Sequence, residues 1–242
     1  MVVTPQPLVA KLPRDLIQFD GPLAAWKLTL DLPLGGKSPA EERSAAELAA
    51  GFASAPSFAV LPDGSAVSFR AQVDGAVTSK NTKYPRTELR EMRAAAPGTP
   101  ASWSIGADKA RSMRYDVAVA HAPVVKPQVV CGQIHDAYED ILEIMYDGKN
   151  SAIVYRWMGK SRPTRLVTGY RLGTFFTLRV DVAAGQVSIS VDGEPKATES
   201  ATNDGCYFKA GCYTQSNAQI EKDPMRYGEV WIRNMTMTGS GA

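Results

Sequence analysis

Three short segments of the chain carry side chains suited to holding a carboxylate and moving a proton beside it. The first is Tyr84-Pro85-Arg86-Thr87-Glu88-Leu89-Arg90-Glu91. Read as a strand, its period of two puts Arg86, Glu88 and Arg90 on one face, with Thr87 and Leu89 opposite. Two guanidiniums flanking a carboxylate form either a structural ion-pair ladder or an anion clamp. In the clamp, Glu88 orients the arginines and one of them grips a carboxylate bidentately. The second segment, Cys131-Gly132-Gln133-Ile134-His135-Asp136, puts Gln133 and His135 on one face. Cys131 has their parity, so it is expected to border that face. The third runs from Cys206 to Gln215. Tyr207, Lys209, Tyr213 and Gln215 share one face; Cys206, Phe208, Ala210 and Cys212 form a small apolar face behind them.

This set points to one kind of reaction. Arg, Gln and neutral His hydrogen-bond a carboxylate and stabilise charge developing on it. Tyr and His move protons. Together they suit β-elimination next to an acid: a carbon-bound proton is removed, an enolate-like dianion is stabilised, and a glycosidic oxygen leaves. Polymers of uronic acids present that arrangement. Arg86 and Lys209 are expected to favour the Tyr213 phenolate enough for it to work at mildly alkaline pH. No nucleophile elbow, P-loop, dinucleotide fingerprint or zinc spacing competes with this reading. His121, between alanines and close to Pro123, reads as a structural histidine at a strand end.

The elements that must position these residues are strands. Val67–Val73, Tyr115–Val119, Thr177–Val182 and Val187–Asp192 all alternate, and Ala183-Ala184-Gly185-Gln186 joins the last two as a hairpin. Asp63-Gly64, Asp147-Gly148 and Asp192-Gly193 mark further turns. One helix is expected, with Ser38 as N-cap, Pro39 in its first turn, Glu41 closing a capping box and Gly51 ending it. Residues 1–25 are Pro-rich and read as an irregular arm, and residues 26–242 as a single domain. Many short strands, one or two short helices and no linker imply an all-β sandwich of two antiparallel sheets, of jelly-roll type, whose concave face would hold an extended polymer.

Bulk composition is that of a globular domain: 242 residues, 44% hydrophobic and 21% charged. A net charge of +2 is too small to imply a nucleic-acid partner, and no run is long and apolar enough to suggest a membrane partner. Cys206 and Cys212, roughly 20 Å apart on an extended strand, cannot pair with each other; the three cysteines read as buried thiols. Met1 to Leu12 lacks the basic and apolar regions of a signal peptide. The expectation is a secreted or periplasmic protein whose leader is absent from this sequence.

At the three segments the chain resembles alginate lyases of polysaccharide lyase family 7. The resemblance rests on Arg86-Thr87-Glu88-Leu89-Arg90, Gln133-Ile134-His135 and Tyr207-Phe208-Lys209-Ala210-Gly211-Cys212-Tyr213-Thr214-Gln215, in the family's order. It is supported by Trp26-Lys27-Leu28-Thr29-Leu30, Tyr84-Pro85 and Tyr146-Asp147-Gly148. It implies a concanavalin-like jelly roll, no metal or other cofactor, and endolytic cleavage of an anionic polysaccharide; the protein is expected to be a monomer. Carried over by position, Arg86, Gln133 and His135 would contact the carboxylate in subsite +1, and Tyr213 would protonate the leaving oxygen. Tyr213 would also be the base for mannuronate, and His135 the base for guluronate. Glu88, Arg90, Lys209, Tyr207 and Gln215 would bind or orient. Ile134, in place of valine, tilts the expectation toward guluronate-containing blocks.

Rival readings make different demands. A non-catalytic carbohydrate-binding jelly roll relies on aromatic platforms, and aromatics are 8% of this chain. A lyase acting on glucuronan would use the same carboxylate clamp. A laminarinase-type hydrolase needs two carboxylates on one face about 5–5.5 Å apart. Glu139-Asp140-Ile141-Leu142-Glu143 has the wrong order for that, and Ile141, Glu143 and Met145 read as one face of an ordinary strand.

Overall fold

The period-two segments pair into two antiparallel sheets. The computed structural model describes residues 11–17, 26–35, 37–96, 98–107 and 109–239. In chain order the elements begin with β1 (Trp26–Leu34), β2 (Lys37–Arg43), helix α1 (Ala45–Ala49), β3 (Phe58–Val60), β4 (Val67–Gln72) and β5 (Arg86–Glu91). Next come β6 (Arg111–His121), β7 (Gln128–His135), β8 (Asp140–Asp147), β9 (Ala152–Trp157) and β10 (Thr164–Thr168). The chain continues with β11 (Phe176–Ala183), β12 (Gln186–Val191), β13 (Glu194–Ser200), β14 (Tyr207–Thr214), helix α2 (Ala218–Glu221) and β15 (Tyr227–Thr238). Among the described residues, one sheet has eight strands in the order β10-β9-β8-β7-β14-β5-β1-β2. The other has seven, in the order β13-β12-β11-β6-β15-β4-β3.

The apolar half of each alternation lies between the sheets. Trp26, Leu28, Leu89, Ile134, Phe208, Ala210 and Cys212 meet Phe69, Tyr115, Val117, Leu178, Ile189 and Val230 in one continuous core. Each such large apolar side chain, removed from water, contributes about 1.5–3 kcal/mol. Because the core takes only one face of each strand, the opposite face of the eight-stranded sheet is left for polar residues. The strand order puts β7, β14 and β5, which carry the three sequence segments, side by side at its centre.

The expected turns form. Ala184 and Gly185 have φ of 46° and 79°, and Asp192 and Gly193 have 52° and 84°. Two successive positive φ values make the primed turns that match strand twist. The expected helix is corrected. Ser38, Pro39 and Glu41 lie in strand β2, and the helix is the short α1, capped by Ser44 in a reciprocal box with Glu47. The chain holds two capping signals in succession. Pairing with β1 claims the first for an edge strand, where proline is tolerated. Gly51 ends the helix as expected, with φ of 96°. Of the expected arm, residues 1–10 and 18–25 lie outside the described residues. Within 11–17, Pro13–Asp15 forms a 3-10 turn and Ile17 is fully buried against the core.

Candidate active site

Register brings the three segments into one constellation. Across β14 and β7, Tyr207 stands opposite His135 and Lys209 opposite Gln133. Across β14 and β5, Lys209 stands opposite Arg90, Gly211 opposite Glu88 and Tyr213 opposite Arg86. Two glycines permit this closeness. Gly211 has φ of 144°, and a Cβ there would lie 2.6 Å from the Thr87 carbonyl oxygen and 2.7 Å from Glu88 Cα. A Cβ on Gly132 would lie 2.2 Å from the Tyr115 hydroxyl, which rises from the core to donate to the Cys131 carbonyl at 2.9 Å.

Glu88 is the hub, with only 1% of its surface exposed. Its carboxylate receives Lys209 Nζ at 2.6 Å and Arg86 Nη1 at 3.1 Å, and Gln133 Nε2 donates to the other oxygen. Burial alone would raise its pKa, but Lys209 and Arg86 outweigh that and hold the carboxyl below its usual range. Burial, reinforced by Arg86 and opposed by Glu88, brings the Lys209 ammonium down to about 8. With Arg86 and Lys209 both on the Glu88 carboxylate, the hub carries excess positive charge.

Aromatic rings order the outer groups. The Arg86 guanidinium lies 3.7 Å from the centre of the Tyr213 ring, and Arg90 lies 4.0 Å from that of Tyr207. The His135 imidazole stacks on Tyr207, with centroids 5.4 Å apart. Its Nδ1 lies 2.5 Å from the Asp136 carbonyl oxygen, and its Nε2 lies 3.2 Å from Asp140 Oδ1. Burial and Lys209 lower the His135 pKa, against Asp140, which raises it. Among the described residues, four buried polar atoms here have no protein partner: Arg86 Nε, Arg90 Nε, Gln133 Oε1 and Gln215 Nε2. Unsatisfied polar atoms on a recessed face mark a place where a polar ligand completes the bonding.

Every sequence-selected residue therefore belongs to this central part of the eight-stranded sheet: Arg86, Glu88 and Arg90 on β5, Gln133 and His135 on β7, Tyr207, Lys209 and Tyr213 on β14, and Gln215 one residue beyond it. Three expectations are corrected. Cys131 does not border the site. A bulge opposite Met145 and Ile144 turns it into the core, fully buried, where Val130 takes the outward place beside Met145 and Tyr213. The Tyr213 phenol is not shifted toward phenolate; burial outweighs Arg86 and pushes it up to about 12. Ile141 does not share a face with Glu143 and Met145, because the register of β8 shifts where His135 pairs with Asp140, and Ile141 enters the core.

That register shift also explains a residue the sequence left out. Asp140 reaches His135 because β7 and β8 meet across a tight turn, and its spacing of five from His135 is the only signal in the chain. Tyr84, 6.4 Å from the Tyr213 ring and hydrogen-bonded by Lys126 Nζ at 3.1 Å, is a second neighbour. His121 lies on the other sheet, stacked on Tyr227 at 4.0 Å, in the structural role expected of it. All three cysteines are free and buried.

A two-sheet jelly roll with cations gathered about a buried carboxylate, and with Tyr and His beside them, defines a polysaccharide lyase acting on acidic sugars. The family model described as alginate lyase matches residues 21–239. Among solved structures, the alginate lyase AlgAT5 from polysaccharide lyase family 7 is 36% identical, with a TM-score of 0.84, over 95% of this chain and 99% of that one. The alginate lyase from Corynebacterium sp. is 32% identical, also with a TM-score of 0.84, over 95% and 98% of the two chains. A curated alginate lyase from Klebsiella pneumoniae is 24% identical, over 80% of this chain and 82% of that protein. The chain belongs to the alginate lyase family, polysaccharide lyase family 7.

Proposed function

We propose that this lyase cleaves alginate endolytically and works best on guluronate-containing blocks. The observation that carries the reading is the excess of cations around Glu88, with buried donors left open beside a phenol and an imidazole. Arg86 and the free N–H of the Gln133 amide bind the uronate carboxylate, with His135 at its edge. Glu88 does not touch substrate; it fixes Arg86, Lys209 and Gln133. Gln133 Oε1 and Gln215 Nε2 serve sugar hydroxyls, and Arg90 and Tyr207 support the imidazole.

Elimination then runs as follows. The C5–H bond breaks and its electron pair becomes the C4–C5 double bond. The C4–O bond breaks, and the departing oxygen takes the Tyr213 proton. At a pKa of about 12 the resting Tyr213 is a phenol, ready to donate. As a base for mannuronate it must first lose that proton. Burial lowers the His135 pKa below that of the ordinary imidazole, which favours its neutral form and spares it that cost. That difference favours guluronate, whose C5 proton lies on the opposite side from the leaving oxygen.

The test is a substrate panel of poly-guluronate, poly-mannuronate, mixed alginate and glucuronan. It follows the ultraviolet absorbance of the unsaturated uronate and the sizes of early products. Faster cleavage of poly-guluronate into mid-sized oligomers supports the reading, and His135→Asn should lower that rate more than the rate on poly-mannuronate. Preference for glucuronan, or single-sugar release from the start, would overturn it.

A further inference from the structure

We propose that Asp140 is a positioning residue that sets the protonation of His135 and thereby governs cleavage of guluronate linkages. The inference rests on the reading of His135 as the base for those linkages. It starts from the tautomer. A carbonyl oxygen only accepts, so the Asp136 carbonyl 2.5 Å from Nδ1 requires the hydrogen on Nδ1. Nε2 is then the nitrogen that takes up the second proton, and it is the one facing Asp140 Oδ1 at 3.2 Å. A neutral ring nitrogen gains nothing from a nearby carboxylate; the imidazolium gains an opposite charge 3.2 Å from Nε2. Asp140 therefore stabilises the imidazolium that proton abstraction creates.

The surroundings single out Asp140 for this task. From β14, Tyr207 stacks on the ring, and Lys209 disfavours a second positive charge. From β5, Glu88 acts in the opposite sense but is already engaged by Lys209, Arg86 and Gln133. On the His135 side of the turn, the Asp136 carboxylate is occupied by the Tyr138 and Glu139 amides at 2.6 and 2.8 Å and by Asn203. Among the described residues, only Asp140, from β8, brings a carboxylate within 4 Å of Nε2. Its side chain is 42% exposed, so it also borders solvent. The C5 proton passes to Nε2 as the C4–C5 double bond forms. The resulting imidazolium is held by the Asp140 charge at 3.2 Å and, once the product leaves, returns its proton to water, which restores the base.

The chain has two histidines, so the experiment has a direct readout. Nuclear magnetic resonance titration of both imidazoles, with His121→Gln to assign them, is run on the wild type, Asp140→Asn and Asp140→Glu. Asp140→Asn should lower the His135 midpoint by about one pH unit, because the largest influence opposing burial and Lys209 is then gone. The acidic limb of kcat/KM on poly-guluronate should move down with it, the ratio of guluronate to mannuronate cleavage should fall, and Asp140→Glu should restore both. An unchanged His135 midpoint in Asp140→Asn overturns the proposal while leaving the base assignment standing. A midpoint that moves without the poly-guluronate limb following it shows instead that His135 is not the base, and the control assigned to Asp140 falls with it.

Discussion

The Lys209 ammonium lies 2.6 Å from the Glu88 carboxylate, and neither side chain is more than 8% exposed. A buried pair of this kind is a weak net contributor when intact and a costly one when broken, because the remaining charge has no solvent. Glu88→Gln leaves both Lys209 and Arg86 without their counter-charge. The expected destabilisation is roughly 3–5 kcal/mol, a fall in Tm of about 10 °C for a domain of this size. Adding Lys209→Met should recover part of it, since one of the stranded charges is gone. Thermal melts of the single and double variants check this. A Glu88→Gln protein melting with the wild type would show that the pair is not the hub described.

The same pair makes substrate binding sensitive to pH. Lys209 holds its proton up to about 8. Below that value the site carries the full cationic charge; above it, Lys209 becomes neutral and one attraction for a polyuronate is lost. KM should therefore rise as pH passes through this value, while Lys209→Arg, which stays charged, should flatten the rise. Initial rates over about two pH units on either side decide it. A KM that climbs equally in both proteins would assign the change to another group.

Gly132 and Tyr115 form a second relationship with a clear test. A Cβ at residue 132 would meet the Tyr115 hydroxyl at 2.2 Å, while the next atoms, Leu178 Cδ2 and Tyr115 Cζ, lie at 3.5 Å. Gly132→Ala should cost about 1–3 kcal/mol by overpacking and lower activity by displacing Gln133 and His135. Tyr115→Phe removes the obstructing atom, so the double variant should be more stable than Gly132→Ala alone. Denaturant unfolding measures this; no rescue would mean that the glycine serves some other contact.

Much of this site can be read from period two. Arg86, Glu88 and Arg90 alternate without interruption, and Tyr207, Lys209 and Tyr213 keep one parity through β14, so their shared face follows from local sequence. Parity fails where the pairing register shifts. Cys131 sits in a bulge that only the partner strand β8 reveals, and Asp140 reaches His135 through a register shift that neither strand announces alone. The Ser38 helix failed for a related reason, because pairing with β1 outweighs a local capping signal. The proton affinity of Tyr213 departs from the sequence expectation because its neighbouring cations are visible in sequence and its burial is not.

The central claim is that Tyr213 delivers the proton to the leaving oxygen, and Tyr213→Phe tests it most directly. The ring that Arg86 covers at 3.7 Å is retained, so the fold and the charge cluster should persist. The measurement is the initial rate of ultraviolet absorbance from unsaturated uronate, on poly-guluronate at saturating concentration. A loss of roughly 10²–10⁴-fold in kcat, with oligoguluronate still bound, is the predicted result. A variant within about tenfold of wild type, outside the range for a general acid, would remove Tyr213 from the mechanism.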